Sequence, residues 1–154
     1  MACECGRWDD ECARPAMAMA PLTYFCIHCW TIVDAATKLC PACGLPIEDG
    51  ATDIVDKYIA ALRHPAPETR LRAAWMLGEM RERRAVPALL DLVSARGRGD
   101  VYLLTAAIRS LGAIGAAEAV PVLSTLLADE SAPFMAQHAA EDALRHIRAE
   151  ADGV

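Results

Sequence analysis

The chain has 154 residues, enough for one ordinary domain or for a small domain followed by a helical array. A hydrophobic fraction of 55% with only 5% aromatic residues is typical of packed helices and argues against a β-sandwich and against extensive disorder. The net charge of −6 argues against a dedicated nucleic-acid binder, although eight arginines between residues 63 and 98 give the chain a basic middle.

Residues 1–21 are predicted to form an amino-terminal tail. The longest apolar run, residues 16–27, is interrupted by Pro21 and is shorter than the roughly 20 residues that a bilayer requires, so no membrane span is expected. The first fifteen residues are acidic, opposite to the basic start of a secretory signal; they include Glu4, Asp9, Asp10 and Glu11.

The cysteines of the chain indicate a reducing compartment. Their number, seven, is odd, and four of them fall in two tight pairs, which favours metal binding over disulfides and predicts a cytoplasmic location. The spacing of Cys3, Cys5 and Cys12 matches no common metal site. These three belong either to the tail or to a second metal site completed by a partner or by His28.

Residues 22–49 are predicted to form a small metal ribbon. The stretch "YFCIHCWTIVDAATKLCPACG" holds two Cys-x-x-Cys pairs ten residues apart, and two such turns brought together by a hairpin complete a tetrahedral four-sulfur site. The predicted ligands are Cys26, Cys29, Cys40 and Cys43. Gly44 follows the second pair and supplies the positive φ that such a turn needs. Trp30 holds the equivalent place after the first pair, so the first turn is either less regular or shielded by the indole.

The ribbon resembles a zinc ribbon and, more narrowly, a rubredoxin-type domain, with an aromatic pair before the first turn and "CPACGLP" at the second. The resemblance implies a bound metal, zinc or iron, because sulfur ligands alone do not choose between the two. The missing first glycine and the short ten-residue gap depart from the rubredoxin pattern. A closed four-cysteine site has no open position for substrate, so zinc there would be structural.

Residues 50–152 contain an internal repeat. "RAAWMLGEMRERRAVPALLDLV" (72–93) aligns with "AAIRSLGAIGAAEAVPVLSTLL" (106–127) at an offset of 34, a third copy begins at Pro133 after a further shift of 33, and a half copy precedes them. The spacing of the apolar residues predicts two helices per copy, a pattern typical of a solenoid. One predicted stripe is Ala73, Met76, Leu77 and Met80; the next is Val86, Leu89, Leu90 and Val93. Small residues at positions 73, 107 and 140 are expected to let the helices approach closely.

The string "A-A-x-x-L-G … A-V-P-x-L" resembles HEAT repeats of the phycobilisome-lyase-like type over about 95 residues. The resemblance implies a short α-solenoid of HEAT-like helix pairs. With the metal-stabilised β-hairpin ribbon before it, the expected fold class is mostly α. Such arrays serve as scaffolds, adaptors and assembly factors, and rarely as chromophore lyases, so the fold alone does not select a function.

Positions that break the repeat pattern predict a partner-binding surface. Trp75 aligns with Arg109 and then with Asp142, so its slot is expected to face solvent. An indole there is a partner anchor, is covered by the ribbon, or is incidental. Tyr102 extends the same face by one repeat. The predicted partner-binding residues are Trp75, Tyr102, Arg72 and Arg109.

Two further clusters carry weaker signals. The arginines at 81, 83 and 84 and the segment "ARGRGD" (95–100) can neutralise phosphates or an acidic protein surface, but charged inter-repeat loops are usually solvated. His138, Asp142 and His146 have a spacing that can hold a metal, yet a fourth ligand is missing.

We therefore expect a non-enzymatic protein–protein interaction module, an accessory or adaptor subunit of a larger assembly. One alternative is a rubredoxin-like iron electron-transfer domain that the solenoid docks on a redox enzyme. A second alternative is a lyase-like HEAT-repeat enzyme, which rests on the repeat resemblance alone.

Overall fold

The computed structural model describes residues 24–34, 36–47 and 53–152, and this part of the chain is mostly helical. Two short strands precede six helices: β1 (Tyr24–Phe25), β2 (Ile32–Val33), α1 (Ile54–Ala61), α2 (Pro67–Glu79), α3 (Val86–Ser94), α4 (Val101–Ile114), α5 (Val120–Ala128) and α6 (Phe134–Asp152). The predicted fold class is confirmed. The predicted tail at residues 1–21 lies outside the described residues.

The ribbon is an antiparallel hairpin. Tyr24 pairs with Val33 and Phe25 with Ile32, as expected for the β-branched residues of the second strand. The chain then returns through a second loop in which Leu39 and Pro46 form an isolated bridge. The interior of the ribbon is small: among its described residues it consists of Cys26, Val33 and Cys40, with Ile47 packed against them.

The helices form two layers. Helix α1 packs on α2, α3 on α4 and α5 on α6, while α2, α4 and α6 lie side by side. The structure therefore divides the array into three complete helix pairs, whereas the sequence repeat suggested pairs of α2 with α3 and of α4 with α5, preceded by a half copy. The alignment gave the correct repeat length but did not show which helices pack as a pair. The repeat length is the same whichever helix is counted as the first of a repeat.

Helix starts follow local chemistry. The Asp53 and Asp100 side chains accept hydrogen bonds from the first backbone N–H groups of α1 and α4. Pro87 and Pro121 lie at the second position of α3 and α5, where a missing N–H has no cost.

The core runs between the two layers and is built from leucine, isoleucine, valine and alanine. Its fully buried large side chains include Leu62, Leu77, Leu89, Leu103, Leu104, Ile108, Leu111 and Leu123. The prediction for Met80 was wrong: the helix ends at Glu79, and Met80 is 41% exposed.

Helices of the α2, α4 and α6 layer approach so closely that small residues are required. A Cβ atom on Gly78 would lie 2.7 Å from Ser110 Oγ, and one on Gly112 would lie 2.8 Å from the Cα of Ala143. Ala73, Ala107 and Ala140 are buried in the same layer, as the repeat predicted. The repeated Leu-Gly of the sequence thus marks the contact between successive pairs.

Candidate metal centre and interaction surface

The two cysteine turns of the ribbon have the same pattern of backbone hydrogen bonds. The N–H of Trp30 donates to the carbonyl of Cys26, and the N–H of Gly44 donates to that of Cys40, both at 2.8 Å. In return, the N–H of each first cysteine donates to the carbonyl five residues on, at 2.9 Å for Cys26 and 2.8 Å for Cys40. The first turn is therefore as regular as the second.

Trp30 achieves this regularity with a backbone conformation that glycine adopts more easily. Its φ is +60°, close to the +72° of Gly44 in the second turn. A left-handed conformation costs a residue with a Cβ roughly 1–2 kcal/mol. The sequence offered two interpretations of Trp30, and the prediction of a less regular first turn was wrong.

The sulfur positions fit a tetrahedral metal site. All four Sγ atoms lie within 4.8 Å of one another, with Cys26 Sγ 3.7 Å from Cys43 Sγ and Cys29 Sγ 3.5 Å from Cys40 Sγ. A tetrahedron of metal–sulfur bonds of about 2.3 Å has edges of about 3.8 Å. The four cysteines can therefore hold one metal ion, and zinc and iron both suit this donor set.

Burial and charge distinguish the four sulfurs. Cys26 and Cys40 are buried, whereas Cys29 and Cys43 are exposed. Hydrogen bonds with the side chain and backbone of Thr31 lower the pKa of Cys29 to about 6. For Cys43 the backbone at Leu45 acts in the same direction, but lost solvation and the neighbouring sulfurs outweigh it and raise the pKa to about 12. Four thiolates in this space repel one another, and a bound cation would relieve that repulsion.

His64 of the array contacts two aromatic rings of the ribbon. His64, in the loop between α1 and α2, has the rings of Phe25 and Trp30 edge-on at centroid distances of 5.0 Å and 4.6 Å. It is only 7% exposed. The sequence reasoning did not single out His64, because a histidine before a proline resembles any loop residue.

The predicted partner-binding face contains an open groove between α2 and α4. It encloses about 460 Å³, and its walls include Leu71, Trp75, Tyr102, Arg109 and Met135. Trp75 is 56% and Tyr102 63% exposed, so the ribbon residues that the structure describes do not cover this indole. Arg72 is exposed on α2 but lies outside the groove lining.

A second groove of about 360 Å³ continues the first toward α6 and shares Gly78, Glu79, Arg109 and Ala113 with it. Small residues form the floor where the helices meet, and polar side chains line its far end. Arg109 lies where the two grooves join and forms no ion pair with any described residue. The two grooves together are named the α2–α4–α6 groove below.

The sequence profile of the HEAT repeats matches residues 55–145, well over half of the chain. The chain belongs to the HEAT-repeat family. Its six described helices are the HEAT array, and the four-cysteine ribbon precedes that array. No curated protein matches the sequence. No described helix has the length and apolar character needed to cross a bilayer.

The loop arginines of the HEAT array are paired with acids of neighbouring helix pairs. Arg84 contacts Asp53 at 2.5 Å, and Arg83 contacts Glu118 at 3.0 Å. Arg81 contacts Glu150 at 3.3 Å, and Arg96 contacts Asp129. These side chains are thus occupied within the protein, so the basic middle of the sequence offers less free positive charge to a nucleic acid than its arginine count suggests.

The histidines of α6 do not form a metal site with any other described residue. His138 Nδ1 lies 3.3 Å from Asp142 Oδ2, and Arg145 occupies the other oxygen of that carboxylate at 3.1 Å. Among the described residues, only the four cysteines of the ribbon converge as metal ligands. Cys3, Cys5 and Cys12 lie outside the described part of the chain.

Proposed function

We propose that the protein is a non-enzymatic adaptor or accessory subunit of a larger assembly, which binds a protein partner along the α2–α4–α6 groove. HEAT repeats are commonly protein-interaction modules that use an extended surface of stacked helix pairs. The proposed organisation is a tail (1–21), a metal ribbon (22–49) and a HEAT array (50–152), in the cytoplasm.

One observation carries the proposal. Two large aromatic side chains, Trp75 and Tyr102, are exposed beside a floor of closely packed small residues and beside Arg109, whose guanidinium forms no ion pair with any described residue. Tryptophan, tyrosine and arginine are the residues that most often dominate protein interfaces. Arg109 would donate hydrogen bonds to a carboxylate of the partner, and Arg72 would act at the edge of the same face.

Comparative affinity capture tests this function. Tagged protein is compared with the Trp75→Ala/Tyr102→Ala double variant and with Ile54→Ala, a control that removes an exposed apolar side chain from α1. We expect a protein that binds the native chain and the control but not the double variant, and whose purified form binds directly by titration calorimetry. Equal capture by all three proteins would contradict the assignment of this groove.

The metal is proposed to be zinc with a structural role. The sulfur set is complete without an open coordination position, which leaves no place for a substrate. The ribbon would then be a scaffold element. A colourless protein that carries one zinc ion in native mass spectrometry supports this role, whereas a red and reducible protein supports the alternative of iron electron transfer.

A further inference from the structure

The contact between ribbon and array is made by residues that flank the first cysteine turn. Phe25 immediately precedes Cys26, and Trp30 immediately follows Cys29. Their rings hold His64 between them with interplanar angles of 73° and 67°. The direction of both rings is therefore fixed by the backbone of a turn whose sulfurs converge on the metal centre.

Trp30 is an unfavourable residue for this turn, and the contact explains its presence. The turn needs a left-handed residue at position 30, which glycine would supply without strain, as Gly44 does in the second turn. Glycine, however, could not reach His64. The indole thus offsets its backbone cost through a contact with the array.

His64 is in turn joined to the helices of the array. Its Nδ1 accepts a hydrogen bond of 3.0 Å from the N–H of Ala66, and its carbonyl accepts one of 3.2 Å from Arg70 Nη1. The other terminal nitrogen of Arg70 lies 4.0 Å from Asp100 Oδ2, and Asp100 caps α4. A displacement of His64 would therefore disturb the hydrogen bonds at the start of α2 and, through Arg70, the residue that caps α4.

The ribbon is too small to keep its shape by apolar burial alone. Besides the buried sulfurs of Cys26 and Cys40, its interior holds Val33 and the partly buried Ile47. Domains of this size depend on a metal or a disulfide for their fold, and metal binding then becomes folding free energy.

From these contacts we propose that occupancy of the four-cysteine centre controls the docking of the ribbon on the array through His64. With metal bound, the first turn presents Phe25 and Trp30 to His64 and holds the loop between α1 and α2. Without metal, the turn loses its shape, His64 is released, and residues 53–66 open more often. Because such coupling is reciprocal, contact with His64 also raises the metal affinity of the ribbon.

Hydrogen–deuterium exchange of the full chain tests this coupling. The protein is loaded with one equivalent of Zn²⁺ and compared with the same protein after chelation. We expect chelation to raise deuterium uptake in the ribbon and in residues 53–66, with little change in residues 103–111 of α4. Unchanged uptake in residues 53–66 would overturn the proposal.

Two variants separate the contact from the metal site itself. Trp30→Gly preserves the left-handed turn and removes only the indole, so it should bind one zinc ion while residues 53–66 exchange faster than in the zinc-loaded native protein. Trp75→Ala is the matched control for loss of a tryptophan, and its residues 53–66 should still respond to chelation. If Trp30→Gly keeps native protection in residues 53–66, the proposal is wrong.

His64→Ala provides an independent reading because it leaves the ribbon sequence intact. We expect its zinc affinity, measured by competition with a chromophoric chelator, to fall at least about fivefold, the lower end of usual coupling between sites. An affinity equal to that of the native protein would overturn the proposal. Neither result depends on a protein partner, so the proposed function can fail or hold separately.

Discussion

The hydroxyl of Ser110 in α4 donates a hydrogen bond of 2.7 Å to the backbone carbonyl of Ala74 in the neighbouring helix α2. The same hydroxyl also lies 2.8 Å from the carbonyl of Ala106 in its own helix. This contact is possible only because Gly78, one turn along α2, has no side chain to separate the helices. The Leu-Gly motif of the repeat is therefore a requirement of helix approach.

Replacement of Gly78 by alanine should destabilise the array. The new Cβ would lie 2.7 Å from Ser110 Oγ and 2.8 Å from the Ser110 backbone, so the helices must separate, at a cost of about 1–3 kcal/mol in the free energy of unfolding. Arg145 aligns with Gly78 and Gly112 in the third copy and is exposed. Arg145→Ala is thus a matched control, expected within about 0.5 kcal/mol of the native protein in urea unfolding. Equal stability of Gly78→Ala and the native protein would contradict the close approach of α2 and α4.

Replacement of Arg81 by glycine should stabilise the array. Arg81 has a φ of +48° at the end of α2, where the corresponding residue of the next repeat is Gly115 with a φ of +69°. Relief of the left-handed conformation gains about 1 kcal/mol. The lost ion pair with Glu150 is exposed and contributes little.

The control for this prediction is Arg83→Gly. It also removes an exposed ion pair, with Glu118, but Arg83 is not among the residues with positive φ. We therefore expect Arg83→Gly to lower the midpoint of urea unfolding and Arg81→Gly to raise it. A decrease for both variants would show that the ion pair outweighs the backbone strain.

Asp129 should contribute a pH-dependent part of stability. The Ser131 hydroxyl, followed by the Arg96 guanidinium, lowers the pKa of Asp129 from 3.8 to about 2. Because the folded pKa is the lower one, the ionised carboxylate stabilises the folded protein above about pH 4, and this stabilisation is lost as the pH falls toward 2. Asp129→Asn should therefore be less stable than the native protein at pH 7, with a difference that shrinks below pH 4. Urea unfolding over this pH range, with the exposed neighbour Glu130→Gln as control, measures the effect; a difference that is constant with pH would count against it.

Metal binding should depend on the four ribbon cysteines and on no other thiol. Replacement of the buried Cys40 by serine removes a sulfur that lies 3.5 Å from Cys29 Sγ, so native mass spectrometry should show loss of the bound zinc. Cys12→Ser should retain one zinc ion per chain. A second ion in the native protein that Cys12→Ser lacks would instead assign a metal-binding role to the amino-terminal cysteines.

The repeat and the cysteine spacing contained most of what is predictable from the sequence. Both signals depend on short stretches of sequence. A glycine or an alanine recurs because successive helix pairs pack against each other in the same way. Two Cys-x-x-Cys turns need only their own residues to direct four sulfurs to one point. The fold class and the convergence of Cys26, Cys29, Cys40 and Cys43 followed from them.

The missed features depend on contacts between distant parts of the chain. The pairing of α1 with α2 cannot be read from a period, and the contact of Trp30 with His64 joins two elements with unrelated patterns. Trp30 itself carried a signal, since it occupies a glycine position, but the sequence could not identify the side chain that it contacts.

The turn at residues 81–84 leads into α3 of the central helix pair. Its arginines contact both terminal pairs, through Asp53 before α1, Glu118 before α5 and Glu150 in α6. Long repeat arrays can unfold one repeat at a time from either end, because each repeat contacts only its immediate neighbours. Here the two terminal pairs are both connected to the central one at a single edge, although each exposed ion pair is weak. The three pairs should therefore melt together in one cooperative transition.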